Sequence, residues 1–367
     1  MKQNIDMKNI IKCGMVALLS ASVAITFSSC NDWTEPESLD LHSPSLEEQN
    51  PELYKAYMED LRNYKSGEHK VMFVSFNNPA DYPSNRSEHL TVLPDSIDYI
   101  SLNTPDNLNR EIQEEIAEVR EKGTKVVYSI DYASFETEWN AKQKEDPSLT
   151  EEQALAYLAE RTQNMLALCD KYNYDGVIID YTGRSLVSLP EDELAEYSAR
   201  QKNFFDLVSA WKEAHGGKSL VFYGNAQYLV SDNMYLLGKC DYIILKTSLS
   251  TGSGDLSVKA YLAVQAGLDA VAGQENAQNP VPSDRFVACV ETPRPEDKEM
   301  VYGYWNVTDD AGNKQLATLG AAQWAVESSA DFVRKGIFIL NAHNDYFDNT
   351  LVYEHIRTAI QIMNPNN

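Results

Sequence analysis

Eight short apolar runs, separated by longer amphipathic stretches, constrain the fold of this chain more than any other feature. Most of the runs are continuously apolar, which is typical of parallel strands buried on both faces. The predicted strands are Val71–Phe76, Ile97–Leu102, Lys125–Ile130, Gly176–Tyr181, Ser219–Tyr223, Asp241–Leu245, Arg285–Val290 and Gly336–Asn341. Eight βα units in about 315 residues predict an α/β fold with a single (β/α)8 TIM barrel. An open doubly wound sheet is the alternative.

The stretches between the runs place apolar residues at helical spacing. The predicted helices are Arg110–Lys122, Glu151–Tyr172, Glu191–His215, Leu256–Leu268, Leu316–Arg334 and Glu354–Met363. Thr150 suits the N-cap of the second of these helices, and Gly123 suits the C-terminal stop of the first. Residues 131–150 and 292–312 read as long polar loops, in which Trp139 and Trp305 are candidates for the rims of a groove.

The N-terminus has the organisation of an export signal. Three lysines precede an apolar run from Met15 to Phe27, and Ser28-Ser29-Cys30 follows. This pattern is similar to a bacterial lipoprotein signal and predicts a signal peptide over residues 1–29, with lipid attached to Cys30. An ordinary cleavable signal is the alternative. Residues 30–51 are acidic and contain prolines, which predicts a tether between the membrane and a barrel over residues 52–367.

Composition excludes several functional classes. The chain has 31 Lys+Arg against 55 Asp+Glu, a formal charge of −24, so we expect repulsion from nucleic acid. No glycine-rich phosphate loop follows any predicted strand, and the six histidines show no metal-ligand spacing, so we expect no cofactor and no catalytic metal. Cys169, Cys240 and Cys289 lie in apolar patterns, which predicts buried thiols and no disulfide framework.

In a barrel of this kind, functional residues lie where strands end and βα loops begin. Polar and aromatic side chains occupy these positions: Asn77, Asp131, Tyr132, Asp180, Tyr181, Thr182, Tyr223, Asn225, Lys246, Glu291, Asp345 and Tyr346. Amides, hydroxyls and aromatic rings of this kind suit the hydroxyls and ring faces of sugars.

The stretch Tyr174 to Thr182 resembles the strand-four signature of glycoside hydrolase family 18, D-G-x-D-x-D-x-E. Asp175 and Gly176 match its opening pair and Asp180 its last aspartate, while Ile178 stands at the middle aspartate and Thr182 at the glutamate. Other short motifs, among them 61–65, 69–73, 93–98 and 359–365, look like a Bacteroidetes lipoprotein branch of the family. That branch is associated with foraging on N-glycans, and the resemblance implies outer-membrane display at the cell surface.

The resemblance implies a substrate-assisted mechanism, in which a glutamic acid protonates the leaving oxygen while an aspartate orients the attacking 2-acetamido group. Asp180 would be the orienting residue, and Asp175 would contribute to the substrate site. Thr182 is too weak an acid to replace the glutamate. We therefore expect a lipid-anchored protein that binds N-acetylglucosamine-containing glycans with impaired or absent hydrolysis, and that serves a glycan importer and neighbouring glycosidases.

Two alternatives stay open. The first is an active endo-β-N-acetylglucosaminidase with a relocated general acid, for which Glu291 and Asp131 are the candidates. The second is a lipoprotein with a purely structural role.

Overall fold

The structure is a computed structural model that describes residues 45–187, 189–308, 311–347 and 351–365. The predicted signal peptide, Cys30 and the tether up to residue 44 lie outside the described residues. The described residues divide into two units, one up to Lys55 and one from Ala56. The first helices are α1 (Leu46–Gln49) and α2 (Pro51–Ser66), so the last residues of the predicted tether contain a helical turn.

Eight parallel strands close into a barrel in the second unit. They are β1 (Val71–Phe76), β2 (Tyr99–Leu102), β3 (Lys125–Asp131), β4 (Gly176–Tyr181), β5 (Ser219–Gly224), β6 (Tyr242–Leu245), β7 (Phe286–Glu291) and, after a hairpin of β8 (Tyr304–Thr308) and β9 (Lys314–Leu316), β10 (Arg334–Leu340). Their order around the barrel is β1-β10-β7-β6-β5-β4-β3-β2. The predicted (β/α)8 barrel is confirmed, and the open sheet is excluded because β1 pairs with both β2 and β10.

Helices surround the barrel. They are α3 (Arg110–Glu121), α4 (Tyr132–Glu145), α5 (Glu151–Lys171), α6 (Glu191–Ala214), α7 (Ser253–Ala270), α8 (Ala317–Val326), α9 (Asn344–Phe347) and α10 (Glu354–Met363). Thr150 caps α5 in a capping box with Gln153, as the sequence pattern predicted. The prediction of a helix as far as Arg334 is wrong, because α8 ends at Val326 and Arg334 begins β10.

Side chains alternate along each strand between the barrel interior and the surrounding helices. The interior is filled by Val71, Phe73, Tyr99, Val127, Ile178, Val221, Tyr223, Ile244, Val287, Cys289 and Phe338. Phe73 and Tyr99 stack with ring centroids 4.2 Å apart. The middle of the barrel is therefore a packed core, and the polar inward-facing residues lie at its two ends.

Two tryptophans predicted at groove rims are buried instead. Residues 132–145 form α4 rather than a loop, and this helix packs Trp139 against Tyr157. Trp305 lies in β8 and is 2% exposed, with its ring against Gly320 of α8. The rim prediction is wrong for both residues, because each indole completes the packing of a helix.

The cysteine prediction is confirmed, since Cys169, Cys240 and Cys289 are free and buried. Among the described residues, none of the helices combines the length and apolarity needed to cross a membrane.

Candidate functional site

The C-terminal ends of the strands form the mouth of the barrel, and strand alternation determines which residues face it. On β4 the inward-facing residues are Ile178 and Asp180, because strand alternation places residues two positions apart on the same side, and Thr182 follows directly after the strand. Asp131 on β3 and Tyr223 on β5 are the register partners of Asp180. These side chains therefore lie at one level of the barrel.

An ion pair lies at the centre of the mouth. The ammonium Nζ of Lys246 lies 2.6 Å from Oδ1 of Asp180, and each side chain is about one-fifth exposed, at 20% and 18%. The same Nζ lies 3.7 Å from the ring centroid of Tyr223. A cation in this position interacts with both the carboxylate and the negative face of the ring. Sequence reasoning included Lys246 in the site but missed its pairing with Asp180.

Burial determines the proton affinity of the two acidic groups at this centre. Burial raises the pKa of Asp180 above its usual range, Lys246 opposes the rise, and the nearby charge of Asp131 adds to it. Burial also raises the pKa of Tyr223, whose hydroxyl accepts a hydrogen bond from the thiol of Cys289 at 3.4 Å. Tyr223 is therefore a neutral phenol at physiological pH.

Glu291 ends β7 and is 2% exposed. Its Oε2 accepts hydrogen bonds from Nη2 of Arg294 at 2.9 Å, from Nε of Arg294 at 3.2 Å and from Nδ2 of Asn341 at 3.1 Å. The Arg294 guanidinium also stacks 3.7 Å from the ring centroid of Tyr302. In this arrangement Glu291 anchors two loops of the mouth. Sequence reasoning missed Arg294, although its i+3 spacing after Glu291 was a usable signal.

Two other residues of the mouth, Thr182 and Asp131, are more exposed to solvent than Glu291. Thr182 is exposed, and its carbonyl accepts a hydrogen bond from Nδ2 of Asn225 at 2.9 Å. Asp131 is exposed and caps α4, accepting from the backbone N–H groups of Ala133 and Ser134 at 3.1 and 3.4 Å. The structure thus places Asn77, Asp131, Asp180, Thr182, Tyr223, Asn225, Lys246 and Glu291 at or directly after the C-terminal ends of the strands. Hydroxyl, amide, carboxylate and ammonium groups of this kind can form hydrogen bonds with a polyhydroxylated ligand.

Three predicted site residues close to β3 and β4 in the sequence do not face the mouth. Asp175 precedes β4 at the opposite end of the barrel, where its Oδ2 accepts from Nε of Arg120 and the backbone of Val126, both at 2.8 Å. Tyr181 points outward by strand alternation, and Gln201 of α6 donates to its hydroxyl at 3.0 Å. Tyr132 begins α4 and is buried. Their prediction as glycan-contacting residues is wrong, because all three stabilise the packing around the barrel.

Two predicted residues after the last strand are also displaced from the mouth. Asp345 is 1% exposed and accepts hydrogen bonds from the first backbone N–H groups of α10, including that of Ile356 at 2.9 Å. Tyr346 lines a side cavity of about 810 Å³ together with His89 and Arg357. We correct both predictions, because α9 turns these side chains toward α10.

The structure places one group of potential metal ligands together within the described residues, and it lies outside the mouth. The ligand atoms of His89, Glu111 and Glu115 lie within 4.8 Å of one another, between the segment after β1 and helix α3. His89 is hydrogen-bonded to Glu115, whose Oε2 also accepts from the backbone of Leu90. These contacts suffice to explain the group as a packing arrangement.

A comparison with protein-family models identifies the family of the chain. The model of glycoside hydrolase family 18, BT1044-like, matches residues 34–362. The chain belongs to glycoside hydrolase family 18.

Among the solved structures to which the chain is similar, one shares its fold at a TM-score above 0.5. A selenomethionine structure of a BT1044 variant is 17% identical to this chain, with 88% of this chain and 96% of that chain covered and a TM-score of 0.59. A chitinase from Bacteroides thetaiotaomicron is 12% identical, with 82% and 98% covered and a TM-score of 0.45. The Ostrinia furnacalis Group IV chitinase in complex with allosamidin is 12% identical, with 81% and 98% covered and a TM-score of 0.47. No curated protein matches the sequence.

Proposed function

We propose that this family 18 chain is a glycan-binding protein that recognises N-acetylglucosamine-containing glycans, N-glycans above all, and hydrolyses them slowly or not at all. The observation that carries the proposal is which residues stand at the end of β4 and directly after it, and how Asp180 is paired. Thr182 occupies the position where the family signature has its glutamic acid, and the carboxylate of Asp180 is paired with Lys246.

Each of these two features weakens one step of substrate-assisted hydrolysis. A threonine hydroxyl does not protonate a leaving oxygen at neutral pH, and general acid catalysis is worth about 10²–10⁴-fold in rate. An aspartate that orients a 2-acetamido group accepts a hydrogen bond from it, and the Lys246 ammonium, 2.6 Å from Oδ1 of Asp180, competes for that carboxylate. The mouth keeps groups that bind sugars and lacks an acid at the position that the mechanism requires.

The second candidate function is an active endo-β-N-acetylglucosaminidase in which another carboxyl group donates the proton. The position of Glu291 favours it, because this residue ends β7 and so places a carboxyl group at the mouth. Against it, Glu291 already accepts from Arg294 and Asn341, and Asp131 caps α4. Either residue would have to leave these partners to reach a glycosidic oxygen.

The proposal includes export and attachment to the outer membrane through lipid on Cys30, with display at the cell surface. The support for this is the sequence alone: the lysines, apolar run and Ser28-Ser29-Cys30 ending of residues 1–30. A surface-anchored binder would hold glycans for neighbouring glycosidases and an importer. Labelling of cells with a radioactive fatty acid tests the anchor: the label should enter the wild-type protein and be absent from a Cys30→Ala variant.

The function is tested on the chain from Asn31, which contains every described element. Calorimetric titration and release analysis are carried out on the same samples with high-mannose and complex N-glycoproteins. We expect binding without release, weakened at least 10-fold by Asn225→Ala. A matched control is Asn203→Ala, since Asn203 lies on α6 outside the mouth and bonds the backbone of Leu155.

Release at an enzyme-like rate would overturn the proposal and support the second candidate. In that case Glu291→Gln should abolish release while leaving glycan binding measurable. Absence of both binding and release would refute both functions.

A further inference from the structure

The end of the barrel opposite the mouth carries a concentration of positive charge. A cavity of about 480 Å³ opens there, and the cations that line it are Lys125, Lys212, Lys218, Arg285 and Lys335. We refer to it as the basal cavity. A neighbouring cavity of about 220 Å³ shares Lys125 and Lys335 with it. Five cations and two carboxylates line the basal cavity, in a chain whose total charge is −24.

The ammonium groups of the basal cavity are bonded mainly to neutral oxygens. Lys125 begins β3, and its Nζ lies 3.1 Å from the hydroxyl of Tyr99 and 3.5 Å from Oγ of Ser219. Lys212 donates to the carbonyl of Lys218 at 2.5 Å. Lys218 donates to the carbonyl of Tyr174 at 2.6 Å. Within the described residues, no carboxylate forms an ion pair with any of these three lysines.

The two carboxylates leave most of this charge uncompensated. Asp284 pairs with Arg285 at 2.7 Å, and Oδ2 of Asp241 accepts from the backbone of Leu220 at 3.0 Å. Lys335 meets a carboxylate of Glu68 at 3.6 Å, but that glutamate is 96% exposed, so solvent screens the pair. Positive charge therefore exceeds negative charge inside the cavity.

Because salt screens distant charges, the charges that line the basal cavity affect an anion there more than the total charge of the chain does. At physiological ionic strength the Debye length is about 8 Å, so an anion in the basal cavity responds to the nearest charges and little to distant acidic residues. The backbone at Gly216 and Gly217 is also open, since a Cβ added at either would meet no atom within 4 Å. The ammonium and guanidinium groups of the basal cavity lie on flexible side chains beside this open loop. Such N–H donors suit the oxygens of a phosphate group.

We propose that the basal cavity binds a phosphate-bearing anion, with Lys125 and Lys335 as the two cations that contact it. The phosphate belongs either to a free anion or to the headgroup of an acidic lipid, and both sources present the same oxygens. This site lies at the opposite end of the barrel from Asp180 and Lys246, so it is independent of glycan binding.

The test uses the chain from Asn31 and two probes. Calorimetric titration with inorganic phosphate measures the free anion, and co-sedimentation compares phosphatidylglycerol-containing vesicles with pure phosphatidylcholine vesicles. We expect binding of at least one probe, with affinity at least 10-fold lower in a Lys125→Gln/Lys335→Gln variant. Lys125→Arg/Lys335→Arg should retain binding, which separates loss of charge from loss of fold.

Lys202→Gln is the matched control, because this lysine lies on α6, is 60% exposed and pairs with Asp206. Phosphate binding without vesicle preference identifies a free anion, and preference for phosphatidylglycerol without phosphate binding identifies a lipid headgroup. Absence of both, or an equal loss in Lys202→Gln, overturns the proposal.

Discussion

Replacement of Lys246 by methionine tests the electrostatics of the mouth most directly. Methionine keeps a chain of similar length but removes the charge that lies 2.6 Å from Oδ1 of Asp180. The carboxylate then stays in a partly buried position without its partner. Because burial already raises the pKa of Asp180, loss of Lys246 should raise that pKa further.

The size of the effect follows from burial and distance. Breaking a fully buried pair costs about 3–5 kcal/mol, whereas an exposed pair is worth about 0.2–1 kcal/mol. Asp180 and Lys246 are 18% and 20% exposed, which places this pair between the two limits. We therefore expect Lys246→Met to lower the free energy of unfolding by about 2–3 kcal/mol at pH 7.

The dependence on pH has a definite sign. A carboxyl group whose pKa is higher in the folded state than in the unfolded state favours the fold when it is protonated, and this contribution is lost as pH rises through the folded pKa. Removal of Lys246 raises the folded-state pKa of Asp180, so the protonated carboxyl group persists to higher pH. The destabilisation caused by Lys246→Met should therefore be smaller at pH 4.5 than at pH 7.

Urea unfolding of four proteins measures the effect: wild type, Lys246→Met, Asp180→Asn and the double variant. The coupling energy between the two sites should be about 2 kcal/mol at pH 7, because the double variant leaves no unpaired charge. Lys202→Met removes one partner of an exposed pair on α6 and should cost less than about 1 kcal/mol. A coupling energy below about 0.5 kcal/mol, or equal destabilisation at both pH values, would refute this account.

Three further predictions concern other parts of the molecule. If the proposed lack of a general acid limits turnover, Thr182→Glu should raise the rate of glycan release by about 10²-fold or more, because it would add a carboxyl group at this position. Release analysis measures the rate, and an unchanged rate would contradict this account. Gly320→Ala should lower the free energy of unfolding by about 1–3 kcal/mol in urea, because the new Cβ would lie 2.2 Å from the Trp305 ring. Burial lowers the pKa of His69, but the carboxylate of Asp98 at 2.8 Å raises it more, so the pKa lies above its usual value. The stabilisation from a raised histidine pKa is lost as pH rises through that pKa. The difference in unfolding free energy between wild type and His69→Gln should therefore be present at pH 6 and smaller at pH 9.

The sequence was sufficient for the fold because each strand carries its own local signal. Apolar runs such as Val71–Phe76 and Gly176–Tyr181 are strands at the predicted boundaries, and Glu354–Met363 is a helix with the predicted limits. The sequence predicts a loop over 132–145, where the structure has α4. The apolar residues of this segment are sparse, so its pattern is weak, and the helix is stabilised by the Asp131 cap and by packing on its neighbours.

The candidate site was predicted less completely than the fold. Position along the strands predicts that Asp180 lies near the end of β4 and that Lys246 follows β6, but not that their side chains meet beside the ring of Tyr223. The aromatic side chain of Tyr181 was predicted at the mouth, yet it lies one step out of register with Asp180 and faces α6. Strand alternation predicts this difference once the inward-facing residues of the closed barrel are known.

The eight βα units and the acidic charge can be read from the chain without its structure, because they are properties of the sequence itself. The proposal that Thr182 stands where the family has its glutamate also rests on the sequence alone. Three other features depend on the folded barrel. They are which strand-end residues face one another, the pairing of Asp180 with Lys246, and the position of Lys125 and Lys335 in the basal cavity. The physical reason is barrel closure, which brings together side chains that lie far apart in the sequence. Closure also determines how deeply each charged side chain is buried, and burial determines the strength of its interactions with other charges.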